Sequence, residues 1–173
     1  MTASGDSGAV AFKIILVPLD VSAATPRVFE TALRLARLQA ARIHLLRVVT
    51  VDPVFPPAAH VVPDGLEGKL ISDGLAELER FMVAAPDVDF APAQVVTGDP
   101  WRLILDVARE VDADLIVIGS HRYHGVDRIV DRVLGTVASK VVNHADRDVL
   151  VVHPSGRAGS SGIESADPML KLR

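Results

Sequence analysis

Cysteine is absent from this chain. That excludes disulfides, thiolate metal sites and cysteine nucleophiles together, and it fits a reducing interior. Aromatic residues are scarce, at 4% of the sequence. No apolar run approaches the ~18 residues that a bilayer-spanning helix needs. The opening MTASGDSGAVAFK has neither a basic flank nor a long apolar centre, so it does not read as a secretory signal. Charge of one sign is also missing as a pattern. The 18 basic and 22 acidic residues give a net charge of −4 and are well mixed. No basic stripe points to nucleic acid, and no polybasic cluster points to anionic lipid. A soluble cytoplasmic protein, binding neither nucleic acid nor membrane, is the expectation.

What is present is aliphatic. Hydrophobic residues make up 49% of the 173-residue chain, mostly Val, Leu, Ile and Ala. That is the usual filling of a buried parallel sheet with helices on its faces. The length suits one domain with tails, and a core of this size needs no staples.

Taken in order, residues 1–11 read as a loose tail. Lys13 to Leu19 is a first strand, nearly all apolar, with Pro18 near its end and Asp20 immediately after. Thr25 is placed to cap a helix with Pro26 at its first position. Val28, Ala32, Leu35, Ala36 and Leu38 form that helix's apolar face, and Arg34 and Arg37 its solvated one. Ile43 to Val51 is a second strand. Residues 52–68 hold four prolines and read as an irregular excursion. A helix follows over Lys69 to Ala85, its apolar side carried by Leu70, Leu75, Leu78, Phe81 and Met82. Phe90 to Thr97 is a short strand, and Pro92 within it argues for an edge. Asp99 and Pro100 start a helix that buries Trp101, Ile104, Leu105 and Ala108. Asp114 to Ile118 is a fourth strand, Gly135 to His144 a helix and Val149 to Val152 a fifth strand. The Gly/Ser-rich residues 155–173 read as a flexible tail, which leaves residues 12–154 as the domain.

Alternating strands and helices predict an α/β fold with a parallel sheet and right-handed crossovers. Ligands of such sheets bind at the carboxyl ends of strands where the winding reverses. With the first strand central, between the second and the fourth, the reversal brings Asp20 and Gly119 to one crevice.

Four stretches in this order resemble the universal stress protein family: ILVPLD at 15–20, VVTGDPWRLILDVA at 95–108, ADLIVIGSH at 113–121 and LGTVASKVVNHADRDVLVVHP at 134–154. The resemblance implies a single-domain, open five-stranded parallel sheet of order 3-2-1-4-5 with helices on both faces. It also implies a homodimer, often through the last strand, here Val149 to Val152. One branch of the family binds ATP through Gly-x2-Gly-x9-Gly-(Ser/Thr), and another branch lacks the motif. This chain departs from that pattern. Anchored at Gly119, the second and third glycine positions fall on Arg122 and Arg132. Anchored at Gly135-Thr136, the second falls on Gly125 and the first on Arg122. An alignment that keeps Gly119 and Gly135-Thr136 leaves extra residues between them. Val126, Ile129, Val130 and Val133 share one helical face there, so an added helical turn is expected.

The resemblance thus implies an adenine-nucleotide site. Its base would lie against Pro18, Leu19, Val48 and Ile118, with Asp20 accepting from the nucleoside. Gly119 would allow a close approach of a ribose or phosphate, and Arg122, Gly125, Gly135, Thr136 and Val137 would complete the nucleotide site. Each position has a plainer role as well. Asp20 can hold its loop, Gly119 can end a strand, Thr136 can cap a helix, and the apolar residues can be ordinary core. Arg122 can contact phosphate through its charge or fill the pocket and block it.

GxxxxGK[ST], GxSxG and HExxH are absent, and so is GxGxxG at the first strand–helix turn. The histidines support no triad, and His121 with His124 is no convergent metal site. No catalytic or metal-binding residue is assigned. Three functions compete: a stress-response module that binds ATP, ADP or AMP, with or without Mg, as a regulatory ligand; a dimeric interaction protein with an altered or lost pocket; and a weak ATPase.

Overall fold

The computed structural model describes residues 11–20, 22, 24–50, 65–120 and 136–153. Five strands, β1 (Ile14–Pro18), β2 (Arg42–Val49), β3 (Gln94–Thr97), β4 (Leu115–Gly119) and β5 (Asp148–Val152), alternate with four helices. These are α1 (Thr25–Gln39), α2 (Leu66–Val83), α3 (Pro100–Glu110) and α4 (Thr136–His144). The strands form one parallel sheet in the order β3-β2-β1-β4-β5, as expected from the resemblance.

The central strands are apolar on both sides because both sides are covered. Ile15, Val17, Leu115 and Val117 face α1 and α2, joined by Val28, Phe29, Ala32, Leu33, Ala36 and Leu78. Leu16, Ile116 and Ile118 face α3 and α4 through Ile104, Leu105, Ala108, Ala138 and Val141. At the amino ends of β1 and β4 the Asp114 carboxylate accepts the Lys13 N–H at 2.7 Å and the Ile14 N–H at 2.9 Å. The Asp114 N–H donates to the Ile14 carbonyl at 2.9 Å. Arg147, only 17% exposed, donates to the carbonyls of Ala108 at 2.9 Å and Ala113 at 2.7 Å. It thereby ties the end of α3 to the turn that leads into β4, adding a second donor to the Ala108 carbonyl, which also accepts the Ala113 N–H.

Several details differ from the sequence reading. β3 is only Gln94–Thr97; Phe90 contributes an isolated bridge to Ile43, because Pro92 interrupts the ladder between them. α2 starts at Leu66 rather than Lys69. α1 turns Phe29 and Leu33 inward and leaves Leu38 78% exposed. Positions 25, 28, 29, 32, 33 and 36 satisfy the helical repeat better than a stripe ending at Leu38. Arg37 lies on the exposed side as expected, where it binds Asp87 through two hydrogen bonds, of 2.7 and 3.0 Å. Its guanidinium holds the Asp87 carboxyl below the usual range. Trp101 is half-buried rather than core.

Thr25 is the first helical residue and not a cap. Ala24 holds the N-cap position without a side-chain bond. Asp99 is the N-cap of α3, yet its carboxylate makes no capping bond and lies 3.6 Å from Arg102. The expected tails, the proline-rich excursion up to residue 64 and the added turn at 126–133 lie outside the described residues.

Candidate functional site

β1 leads to β2 on one side, and β4 lies on the other side of β1. The connections therefore diverge at the carboxyl ends of β1 and β4, and the crevice so formed is the general ligand position of open α/β sheets. A cavity of about 310 Å³ occupies it. β1 and the turn after it contribute Pro18, Leu19 and Asp20. β4 contributes Ile118 and Gly119, and β2 with its exit contributes Val48 and Thr50. Thr25 and Val28 of α1, Pro100 and Ile104 of α3, and Thr136, Val137 and Ala138 of α4 complete the wall.

Eight of the residues singled out in the sequence thus surround one space: Pro18, Leu19, Asp20, Val48, Ile118, Gly119, Thr136 and Val137. Arg122, Gly125 and Gly135 lie outside the described residues. Sequence reasoning missed Thr25, Val28, Thr50, Pro100, Ile104 and Ala138. The helix residues among them reach the cavity through tertiary packing. Thr50, directly after β2, could have been found from its place one step beyond a strand's carboxyl end.

The loop after β1 is tightly organised. The Leu19 N–H donates to the Leu46 carbonyl at 2.8 Å, which prolongs the ladder up to Asp20. Asp20 Oδ1 accepts the Ser22 N–H at 3.1 Å and the Thr25 hydroxyl at 3.0 Å. The same hydroxyl also faces the Asp20 carbonyl oxygen. The Ser22 hydroxyl accepts the Ala24 N–H at 3.3 Å. Asp20 therefore holds its own loop, in the manner of an aspartate turn, and its carboxylate stands exposed at the cavity wall.

Gly119 has a specific reason to be glycine. A Cβ there would lie 3.1 Å from Val28 Cγ2 and 3.6 Å from Ala24 Cβ. The close approach is to α1, across the floor of the cavity.

Beyond Gly119, the Ser120 N–H donates to the Val152 carbonyl at 2.9 Å, and the buried Ser120 hydroxyl lies 2.9 Å from His153 Nδ1. This pair ties the ends of β4 and β5 together. On the α3–α4 surface, the Trp101 ring lies 4.9 Å from that of His144, with Arg102 and Lys140 each within cation–π range. His44 is buried on β2. Its Nε2 is 3.2 Å from the Gln94 side-chain oxygen, and burial pushes its pKa down.

Among the described residues, no group of three or more His, Cys, Asp or Glu is arranged to hold a metal. No helix among them is long and apolar enough to cross a membrane.

Known proteins resemble this chain over most of its length. Universal stress protein A homolog 1 of Coxiella burnetii is 26% identical over 143 residues, covering 82% of this chain and 96% of the relative. The solved universal stress protein UspA from Lactobacillus plantarum is 27% identical with a TM-score of 0.65, covering 83% of this chain and 99% of that one. A universal stress protein solved in complex with cAMP is 28% identical with a TM-score of 0.58, covering 84% and 99%. The model of the universal stress protein family itself matches residues 11–153. On sheet order, strand-end crevice and sequence alike, the chain belongs to the universal stress protein family.

Proposed function

We propose that the cavity binds an adenine nucleotide, ATP or a related mono- or diphosphate, and that the protein is a stress-response module using that ligand as a regulatory signal. The observation that carries this reading is the convergence of Asp20, Ile118, Gly119 and Thr136 on one crevice at the carboxyl ends of β1 and β4. Apolar Leu19, Val48 and Ile118 suit the faces of a base. Asp20 is an acceptor for a nucleoside hydroxyl or amine, and a carboxylate has about four acceptor positions, so it can hold its loop and meet a ligand together. Thr136 opens α4, where backbone N–H groups and the helix dipole favour phosphate. The relative solved with cAMP adds support for this ligand class.

Native mass spectrometry of gently purified protein, with calorimetric titration of ATP, ADP and AMP in the presence and absence of Mg, tests the reading. Retained nucleotide or saturable heat is expected. No bound nucleotide and no heat at millimolar ATP would refute it. Thr136→Asp, which sets a carboxylate at the exposed end of α4, should weaken binding at least tenfold while leaving the thermal transition in place. Any hydrolysis is slow and secondary in this proposal, and phosphate release no faster than a buffer blank would end the ATPase reading.

Arg122, at a position where the ATP-binding branch carries glycine, favours one competing reading. In it the protein is a dimeric interaction module without nucleotide. The dimer itself is part of both readings: β5 is an edge strand, and Leu150 on it and Val142 on α4 are exposed.

A further inference from the structure

Asp20 ends the loop after β1 with its carboxylate exposed at the cavity wall. An exposed aspartate on a loop ordinarily samples several rotamers. Here two donors converge on one of its oxygens: the Ser22 N–H at 3.1 Å and the Thr25 hydroxyl at 3.0 Å reach Oδ1. The Thr25 hydroxyl faces the Asp20 main-chain carbonyl as well, so its single proton is shared between the backbone and the side chain of the same residue. Thr25 is itself buried, 6% exposed. It is the first residue of α1 and lines the same cavity. Its position is therefore set by the helix, which Val28, Phe29, Ala32 and Ala36 anchor in the core.

We propose that Thr25 is the positioning residue of this site: its hydroxyl aims the Asp20 carboxylate, and that aim makes the cavity selective for ligands carrying a hydrogen-bond donor at the matching place. This rests on the nucleotide reading above and specifies it. A carboxylate only accepts at neutral pH, so it recognises a ribose hydroxyl or the amine of the base. A carboxylate held in one orientation gains a charge-assisted hydrogen bond from the ligand whose donor meets it, and that one bond is lost with the analogue that lacks the donor. Discrimination of that kind needs an acceptor held in place before the ligand arrives.

The experiment compares the affinities of ATP, of 2′-deoxy-ATP and of the triphosphate lacking the 6-amino group. The wild type is expected to disfavour one analogue at least tenfold, and the disfavoured one identifies whether Asp20 meets the sugar or the base. Thr25→Val keeps the shape and removes the hydroxyl; it should reduce that preference to within about threefold. Thr25→Ser should restore it. Asp20→Asn should lose the same preference, and adding Thr25→Val to it should change nothing further. Thr25→Ala makes the same comparison should the valine variant fold poorly. A purely structural role for Thr25 would lower all three affinities together and leave their ratios intact, and that outcome overturns the inference while the nucleotide reading stands. Absence of binding by the wild type overturns both.

Discussion

Gly119 has to be small because a neighbouring helix lies against it. With Val28 Cγ2 3.1 Å from any added Cβ, Gly119→Ala forces Val28 or α1 to give way by a few tenths of an ångström. Gly119→Val cannot be absorbed so easily. Overpacking of this sort costs about 1–3 kcal/mol, and the displaced α1 would carry Thr25 and Val28 away from the cavity wall. Chemical denaturation should show Gly119→Ala close to wild type and Gly119→Val destabilised within that range. His44 gives a pH-dependent counterpart. Burial lowers its folded pKa, while the Gln94 hydrogen bond and the Glu110 charge partly oppose that shift. The unfolded chain therefore takes up a proton first, near pH 6.5. Stability present above that pH is lost as the pH falls towards the depressed folded value, and below it the loss is complete. Urea midpoints between pH 7.5 and 5 should fall more steeply for wild type than for His44→Gln, whose difference curve isolates this group from the other histidines. The sequence revealed Gly119 and Asp20 as strand-end residues, but not why they are needed. The contacts that explain them, Val28 for one and Thr25 for the other, come from α1, and a sequence does not say which strand end a helix crosses.

At the scale of elements, two polar side chains, Asp114 and Arg147, tie the ends of neighbouring elements together. Asp114 joins the amino ends of β1 and β4 through two backbone N–H groups, and those bonds hold its carboxyl below the usual range. The stabilisation is present while the carboxylate is charged and is lost as the pH falls below about 4. Asp114→Ala should cost about 1 kcal/mol and speed hydrogen exchange at Lys13 and Ile14 ahead of the rest of β1. Arg147 does similar work for α3. Replacing it with lysine, which lacks the planar fork, should break the paired contact to the Ala108 and Ala113 carbonyls and lower the thermal midpoint by a few degrees. β1, β2 and β4 were legible because strands covered on both faces are continuous apolar runs. The cavity wall from α3 and α4 was less legible. Ile104 and Ala138 look like ordinary core residues in the sequence, and only the crossing of their helices over the strand ends brings them to the site.

For the whole molecule, an open five-stranded sheet leaves two edges, β3 and β5. β3 is four residues long, and short edges protect themselves. β5 carries the exposed Leu150 and runs beside α4 with the exposed Val142, so it is the edge suited to pairing across a two-fold axis. Light scattering should find a dimer for the wild type and a monomer for Leu150→Arg; an unchanged dimer would move the interface elsewhere. The sheet order and the crevice followed from the family resemblance and from the rule of winding reversal, since both depend on element order and not on side-chain detail. The segment around Arg122 and Gly125, where the spacing departs from the family pattern, lies outside the described residues.

The clamp at Asp114 also sets an order in time. The Lys13–Asp114 hydrogen bond spans 101 residues of chain, and β1 must find β4 across that separation before the floor of the cavity exists. β1, β2 and β3 can assemble with α1 and α2 from nearer neighbours, and loop closure over the longer distance is slower. During synthesis the first half of the chain thus waits, with one flank of its central strand unpaired, until β4 emerges. The site is complete only once β4 has paired with β1. A ligand of the finished cavity accordingly acts on the unfolding side of the kinetics: it should slow unfolding and leave the rate of refolding nearly unchanged.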